Sequence, residues 1–214
     1  MKKDLTELVF ILDRSDSMSG LEKDTIGGFN SMIEKQKELP GKCILTTVLF
    51  DHDFELLHDR MNLKGAPFLT SEDYYVRGST ALLDAVGKAI EKIANAQKRI
   101  LDSEKPEKTI FVITTDGMEN ASHEFNYPRI KRMITAKREA GWEFIFLGAN
   151  LDAAKMADNI GISRNRATNY VSDSKGTKLN YKVMSDAVCE FRSANSISDS
   201  WKDEIEEDYE LRNK

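Results

Sequence analysis

Four runs of apolar, β-rich residues recur along the chain, and between them the apolar spacing changes to that of a helix. The runs are Leu8-Val9-Phe10-Ile11-Leu12, Cys43-Ile44-Leu45-Thr46-Thr47-Val48-Leu49-Phe50, Thr109-Ile110-Phe111-Val112-Ile113-Thr114-Thr115 and Trp142-Glu143-Phe144-Ile145-Phe146-Leu147-Gly148. A short, continuous apolar run bounded by turn residues reads as a strand buried on both faces. Strands that alternate with helices read as a mostly parallel sheet sandwiched between helical layers. The fold class is therefore α/β, a Rossmann-like three-layer sandwich. Asp51-His52-Asp53 leaves no room for a crossover helix, so residues 54–58 read as one antiparallel edge strand whose charges suit an edge. Residues 167–170 read as a last short strand.

The helices follow from periodicity. Residues 21–38 carry Ile26, Phe29, Met32 and Ile33 at helical spacing and stop at Pro40-Gly41. Gly27-Gly28 weakens that helix by roughly 1 kcal/mol per glycine, which suggests a backbone passing close to the loop after the first strand. Residues 81–100 form the clearest amphipathic pattern, with Ser79 or Thr80 placed to cap it. Further helices are expected over 128–140, 152–160 and 179–192, and residues 60–78 read as irregular. The stretch 193–214 is polar and acidic; Trp201, Ile205, Tyr209 and Leu211 offer a weak extra helix, with fraying equally expected.

Two of the buried runs stop abruptly at oxygen-bearing side chains. The first ends in Asp13-Arg14-Ser15-Asp16-Ser17, a D-x-S-x-S pattern, and the third ends in Thr115-Asp116-Gly117. Thr80 stands at a helix start expected on the same rim. In open α/β sheets ligands bind beyond the carboxyl ends of the strands, near the topological switch, and clustered oxygens suit a hard cation. Singly, Asp13, Ser15 and Thr80 read as helix caps and Asp116-Gly117 as a turn. Together and in order, Asp13, Ser15, Ser17, Thr80 and Asp116 read as a metal site. Arg14 reads as a solvated side chain beside it, Asp84 as support for the rim, and Asn120, Asn150 and Asp152 as loop polarity. Cys43 and Cys189 lack metal spacing and read as thiols; the three histidines read as surface or satisfied loop residues.

These segments carry a resemblance. Asp13-x-Ser15-x-Ser17, Gly78-Ser79-Thr80-Ala81-Leu82-Leu83-Asp84 and Thr115-Asp116-Gly117 come in the order of the three parts of a metal-ion-dependent adhesion site. The chain thus resembles a von Willebrand factor type A domain over residues 1–192, with 193–214 left as an acidic C-terminal tail or extra helix. Gly141-Trp142-Glu143-Phe144-Ile145-Phe146-Leu147-Gly148-Ala149-Asn150 is most similar to the bacterial and phage intracellular branch. The resemblance implies that Ser15 and Ser17 ligate Mg²⁺ (Mn²⁺ or Ca²⁺ as alternatives) through their hydroxyls. Thr80 would be a third ligand, direct or through water, and Asp13 and Asp116 would act mostly from behind waters. It implies a protein–protein interaction module in which a partner's Asp or Glu completes the octahedron. The partner would come from an ATPase or stress-response system. Asp16, where many members have glycine, and Glu119 are extra acids near the site.

Other classes compete. A Mg²⁺-dependent phosphoester hydrolase on the same rim would need a second acid two residues after the first, which the D-x-S-x-S loop lacks, or a glycine-rich loop with lysine, which follows none of the strands. A structural subunit with a closed metal site is the third reading. The expectation is a protein that is not an enzyme. A net charge of −5 over 214 residues without a basic block argues against nucleic acid. No run approaches the ~20 residues that span a membrane, and the first apolar run is short for a signal peptide, so a cytoplasmic protein is expected.

Overall fold

Leu8, Phe10 and Leu12 point to one face of a sheet and Val9 and Ile11 to the other, and all five are buried. A strand apolar on both faces belongs at the centre of a covered parallel sheet, and that is where the computed structural model, which describes residues 1–213, places it. Six strands line up in the order β3-β2-β1-β4-β5-β6. They are β1 (Lys2–Asp13), β2 (Lys42–Phe50), β3 (Phe54–Asn62), β4 (Pro106–Thr115), β5 (Trp142–Gly148) and β6 (Ala167–Asn169). Only β3 runs antiparallel, against β2 at the sheet edge, as its short connection requires. The chain steps outward from β1 to β2 on one side and to β4 on the other, so the topological switch lies between β1 and β4.

Helices α1 (Glu22–Glu38), α5 (Ser174–Ala194) and α6 (Asp203–Arg212) contribute to the core on the face of Leu8, Phe10 and Leu12. The opposite face is covered by α2 (Leu82–Lys98), α3 (Tyr127–Glu139) and α4 (Ala153–Ile160). The three-layer α/β sandwich expected from the sequence is therefore present, with longer edges: β3 extends to Asn62 and α5 begins at Ser174. Among the described residues, no helix is long and apolar enough to cross a membrane.

Residues 193–213 pack as part of the same unit. Ile197, Trp201 and Ile205 are buried in the core cluster that holds Val188 and Phe191, and Trp201 Nε1 donates to the Asn165 carbonyl at 2.8 Å. Lys175 holds Asp208 at 2.5 Å, and Lys182 pairs with Glu204. Leu211 stays exposed. The acidic stretch thus ends in an extra helix anchored by Ile197, Trp201 and Ile205, with Glu204 and Asp208 directed to lysines of α5.

The glycine pair in α1 has a different origin from the one expected. A Cβ on Gly28 would lie 2.4 Å from the ring of Tyr181, so Gly28 is required by α5 and not by the loop after β1. Gly27 meets nothing within 4 Å. Gly27→Ala is expected to stabilise the protein by about 1 kcal/mol through helix propensity alone. A urea midpoint that fails to rise would show that this face is not free.

Candidate metal centre

The carboxyl ends of β1 and β4 sit side by side at the switch, and that adjacency builds the site. Asp13 ends β1 and is 1% exposed. Its Oδ1 accepts the Ser15 N–H at 2.7 Å, and its Oδ2 accepts the Thr115 hydroxyl at 2.5 Å and the Asp116 N–H at 3.4 Å. One carboxylate therefore fixes both the D-x-S-x-S loop and the turn after β4. Burial raises the Asp13 pKa above the ordinary 3.8, against the opposing pull of the Ser15 and Thr115 hydrogen bonds.

Three hydroxyls converge in front of it. Ser15 Oγ lies 3.1 Å from Ser17 Oγ, and the Thr80 hydroxyl donates to Ser15 Oγ at 3.0 Å. Taken singly, Ser79 or Thr80 reads as a cap for α2, but that helix starts from Ala81 without a side-chain cap. Its free N–H groups are taken from across the loop instead: Leu83 N–H by Glu119 Oε2 at 2.8 Å and Asp84 N–H by Ser122 Oγ at 3.0 Å. Glu119 is thus a remote cap, not an extra acid at the hydroxyls. Thr80 is left to face the serines, clamped by a reciprocal pair in which its N–H donates to Asn120 Oδ1 and Asn120 N–H donates to its carbonyl. Asp84 secures the same loop by accepting the N–H groups of His123, Glu124 and Phe125.

Asp116, 1% exposed, is held by Asn150 Nδ2 on one oxygen and by the Ser172 hydroxyl on the other. Burial raises its pKa, partly offset by Ser172 and Asn150, and the charge of Asp13 adds to the rise. A Cβ at Gly117 would stand 3.0 Å from Thr80 Oγ1 and 3.1 Å from Ser17 Oγ, so only glycine leaves the space between those hydroxyls open. Asp16 is exposed on the rim and makes only backbone contacts.

The five residues expected at the site thus meet at one rim, hydroxyls in front and carboxylates behind, along an open cleft of about 730 Å³. Neighbouring ligands of an octahedral Mg²⁺, each about 2.1 Å from the ion, are about 3.0 Å apart. The spacings of Ser15 to Ser17 and of Thr80 to Ser15 match that edge, so the donor set fits a small hard cation. Asn120, Asn150 and Ser172 have clear structural roles here. Ser172 went unnoticed in the sequence, its one signal being a small hydroxyl just past the carboxyl end of β6.

Arg14 corrects the sequence reading. It is fully buried, its Nε on Asp51 Oδ2 at 2.8 Å and its Nη2 2.7 Å from Glu55, with its guanidinium 5.3 Å from the Tyr75 ring centroid. The side chain turns inward because Asp51, at the end of the adjacent strand, needs a buried counter-charge. Asp51, His52 and Asp53 also bring ligand atoms within 4.8 Å of one another, a second group that can hold a metal. Its carboxylates are already engaged: Arg77 binds Asp51 at 2.8 Å and Asp53 at 3.2 Å, beside Arg14. Burial alone would raise the Asp51 pKa, but the Asp53 N–H and the Arg77 and Arg14 guanidiniums outweigh it and hold the group below its ordinary value. The hydroxyl rim has no such cations and is the better cation site.

No family model and no curated protein matches the sequence. Solved structures do match in shape. Proximal thread matrix protein 1 from the mussel byssus, in a structure with a zinc-occupied MIDAS motif, aligns over 86% of this chain and 46% of its own at TM-score 0.61 and 16% identity. The vWF domain of the type V pili tip protein from Porphyromonas gingivalis aligns over 91% of this chain and 98% of its own, at 0.59 and 11%. The pilus adhesin SpaC from Lactobacillus rhamnosus GG aligns over 89% and 31%, at 0.64 and 11%. This chain has the von Willebrand factor type A fold. It spans a little under half the length of the mussel protein. The zinc in that structure belongs to the mussel protein; the type A fold places this chain's own hydroxyls on the rim described above.

The raised pKa values give a pH prediction. A cation held at this rim would draw on the charge of both carboxylates, so its affinity should fall on acidification at a higher pH than ordinary aspartates would dictate. In metal-free protein the sign reverses. A group with a raised folded pKa stabilises the fold below its unfolded value of 3.8 and loses that contribution as pH rises through the folded pKa. Metal-free protein should therefore lose stability as pH rises through this window, and a divalent cation bound at the rim should restore it near neutrality. Thermal unfolding across pH, with and without metal, reads both.

Proposed function

We propose that the chain is a divalent-metal-dependent protein–protein interaction module whose rim holds Mg²⁺ and receives an Asp or Glu carboxylate from a partner, working in the cytoplasm. The observation that carries this reading is three neutral hydroxyls gathered at one rim, Ser15 Oγ lying 3.1 Å from Ser17 Oγ and 3.0 Å from Thr80 Oγ1, beside the buried carboxylates of Asp13 and Asp116. Ser15, Ser17 and Thr80 would hold the ion, and Asp13 and Asp116 would supply charge without spending their oxygens on direct coordination. Bound there, Mg²⁺ supplies a Lewis-acidic centre that takes an anionic oxygen from outside. Neutral ligands leave it more positive than carboxylate ligands would, which favours an incoming acid.

The cleft favours binding over catalysis. Among the residues that line it there is no lysine, arginine or histidine to stabilise a phosphoryl group or move a proton. Met118, 67% exposed at its edge, offers an apolar contact to a protein surface instead. Water-proton relaxation of the Mn²⁺-loaded protein tests the reading. Exchangeable water on the bound ion, displaced by acetate or by an acidic peptide, is the expected result. A bound ion without exchangeable water would give the structural, closed-site alternative instead.

A further inference from the structure

At the edge of the sheet opposite the hydroxyl rim, two buried cations stand without a carboxylate. Thr6 of β1 pairs in register with Cys43 of β2 and Lys108 of β4, near the amino ends of these strands. Lys108 is 8% exposed, and its Nζ donates to the carbonyl of Arg192, near the end of α5, at 2.5 Å. Arg192 is 9% exposed. Its Nη1 donates to the Gln36 carbonyl at 2.6 Å and to Gln36 Oε1 at 3.0 Å, and its Nη2 reaches the Pro40 carbonyl at 3.4 Å. Every one of these acceptors is neutral, and the Nε–H makes no hydrogen bond among the described residues.

Buried charge is costly unless it is paired. The carbonyl ends of α1 and α5 each offer roughly half a negative charge, which leaves about one of the two positive charges uncompensated. Two adjoining cavities open beside Arg192, of about 250 and 310 Å³, both lined by Leu39, Gly41, Lys42 and Arg192. The smaller adds Lys37, Lys64 and the carboxamides of Gln36 and Asn62, and no carboxylate lines it. Only Asp4, exposed, brings an acid to the larger.

We propose that this pocket binds a phosphate-class oxyanion. The unpartnered Nε–H of Arg192 and the second N–H of Nη2, whose other contact is the Pro40 carbonyl at 3.4 Å, suit a tetrahedral oxyanion, because a guanidinium offers parallel donors to two of its oxygens. Lys42 and Lys64, both exposed, close over the ion from the pocket mouth. Asn62, whose Oδ1 accepts the Lys64 N–H, keeps its amide donors for a remaining oxygen. The volume holds phosphate with a small organic body. The site is separate from the metal rim and does not depend on it.

The test uses metal-free, full-length protein, so that phosphate cannot act through a bound cation. Inorganic phosphate and phenyl phosphate are titrated in separate arms while the backbone amides of Gly41, Lys42 and Lys64 are followed by NMR. Saturable shifts confined to those amides are expected, about tenfold weaker in a Lys42→Ala, Lys64→Ala variant and lost in Arg192→Gln. Saturation by inorganic phosphate assigns the free ion; saturation by phenyl phosphate alone assigns a phosphomonoester. The lysine variant changes only exposed side chains, so it stays informative if Arg192→Gln fails to fold. No saturable shift in the millimolar range, or shifts unchanged in the lysine variant, would overturn the proposal.

Discussion

Ser15→Ala together with Ser17→Ala is expected to abolish saturable Mg²⁺ and Mn²⁺ binding while leaving the fold in place. Two of the three converging hydroxyls disappear in this variant, and Thr80 alone cannot hold a cation that demands near-octahedral oxygen coordination. A loss of roughly a hundredfold or more in affinity is expected, larger than the change caused by altering an outer partner of a ligand. The framework does not depend on these oxygens. Asp13 binds the backbone N–H of Ser15, which alanine keeps, and the Thr115 hydroxyl stays on the other carboxylate oxygen. The structural cost is the orphaned Thr80 hydroxyl, about 1 kcal/mol. Isothermal titration beside circular dichroism separates the outcomes. Undiminished metal binding would move the site elsewhere, with Asp51, His52 and Asp53 the first place to look. Global unfolding would show that the hydroxyls are structural.

The parts of this site that were legible in the sequence are those set by local pattern. Apolar runs that stop at Asp13 and just before Asp116 announce strand ends, and a parallel α/β sheet brings such ends to one rim. What stayed hidden depends on partners distant in sequence. Arg14 looks like any charged loop residue until the register sets Asp13 opposite Phe50 and brings Asp51 alongside. Glu119 looks like an acid intruding on the metal until its carboxylate is seen on the N-terminus of α2, thirty-six residues back. Ser172 binds Asp116 across fifty-six residues. The acidic end stayed open between an extra helix and a frayed tail for a related reason: Ile197, Trp201 and Ile205 at intervals of four carry the packing against distant residues. A stripe of three residues is too short for periodicity to outweigh composition.

Asp51→Ala should cost about 3–5 kcal/mol, the largest loss of stability expected from any single change near the site. The substitution leaves the Arg14 guanidinium buried with only Glu55, which is 46% exposed, as counter-charge, and an unpaired buried charge costs about that much. The paired change Arg14→Met with Asp51→Ala removes both charges and should recover a large part of the loss. A double-mutant cycle in urea would therefore show strong coupling; additive losses would mean that the two groups do not compensate each other. The acid limb offers an independent reading. A depressed aspartate contributes stability that is full above its unfolded pKa of 3.8 and is lost as pH falls through the lower folded value, so Asp51→Ala should flatten that part of the acid unfolding curve. The same hub also positions the hydroxyls. Arg77 N–H donates to the Arg14 carbonyl, Ala81 N–H to the Asp51 carbonyl, and Asp16 N–H to the Gly78 carbonyl. These bonds tie the loop of Ser15 and Ser17 to the segment that carries Thr80. Loosening the hub should weaken metal binding as well, by less than the loss of the serines, because every ligand oxygen is still present and only its placement has changed.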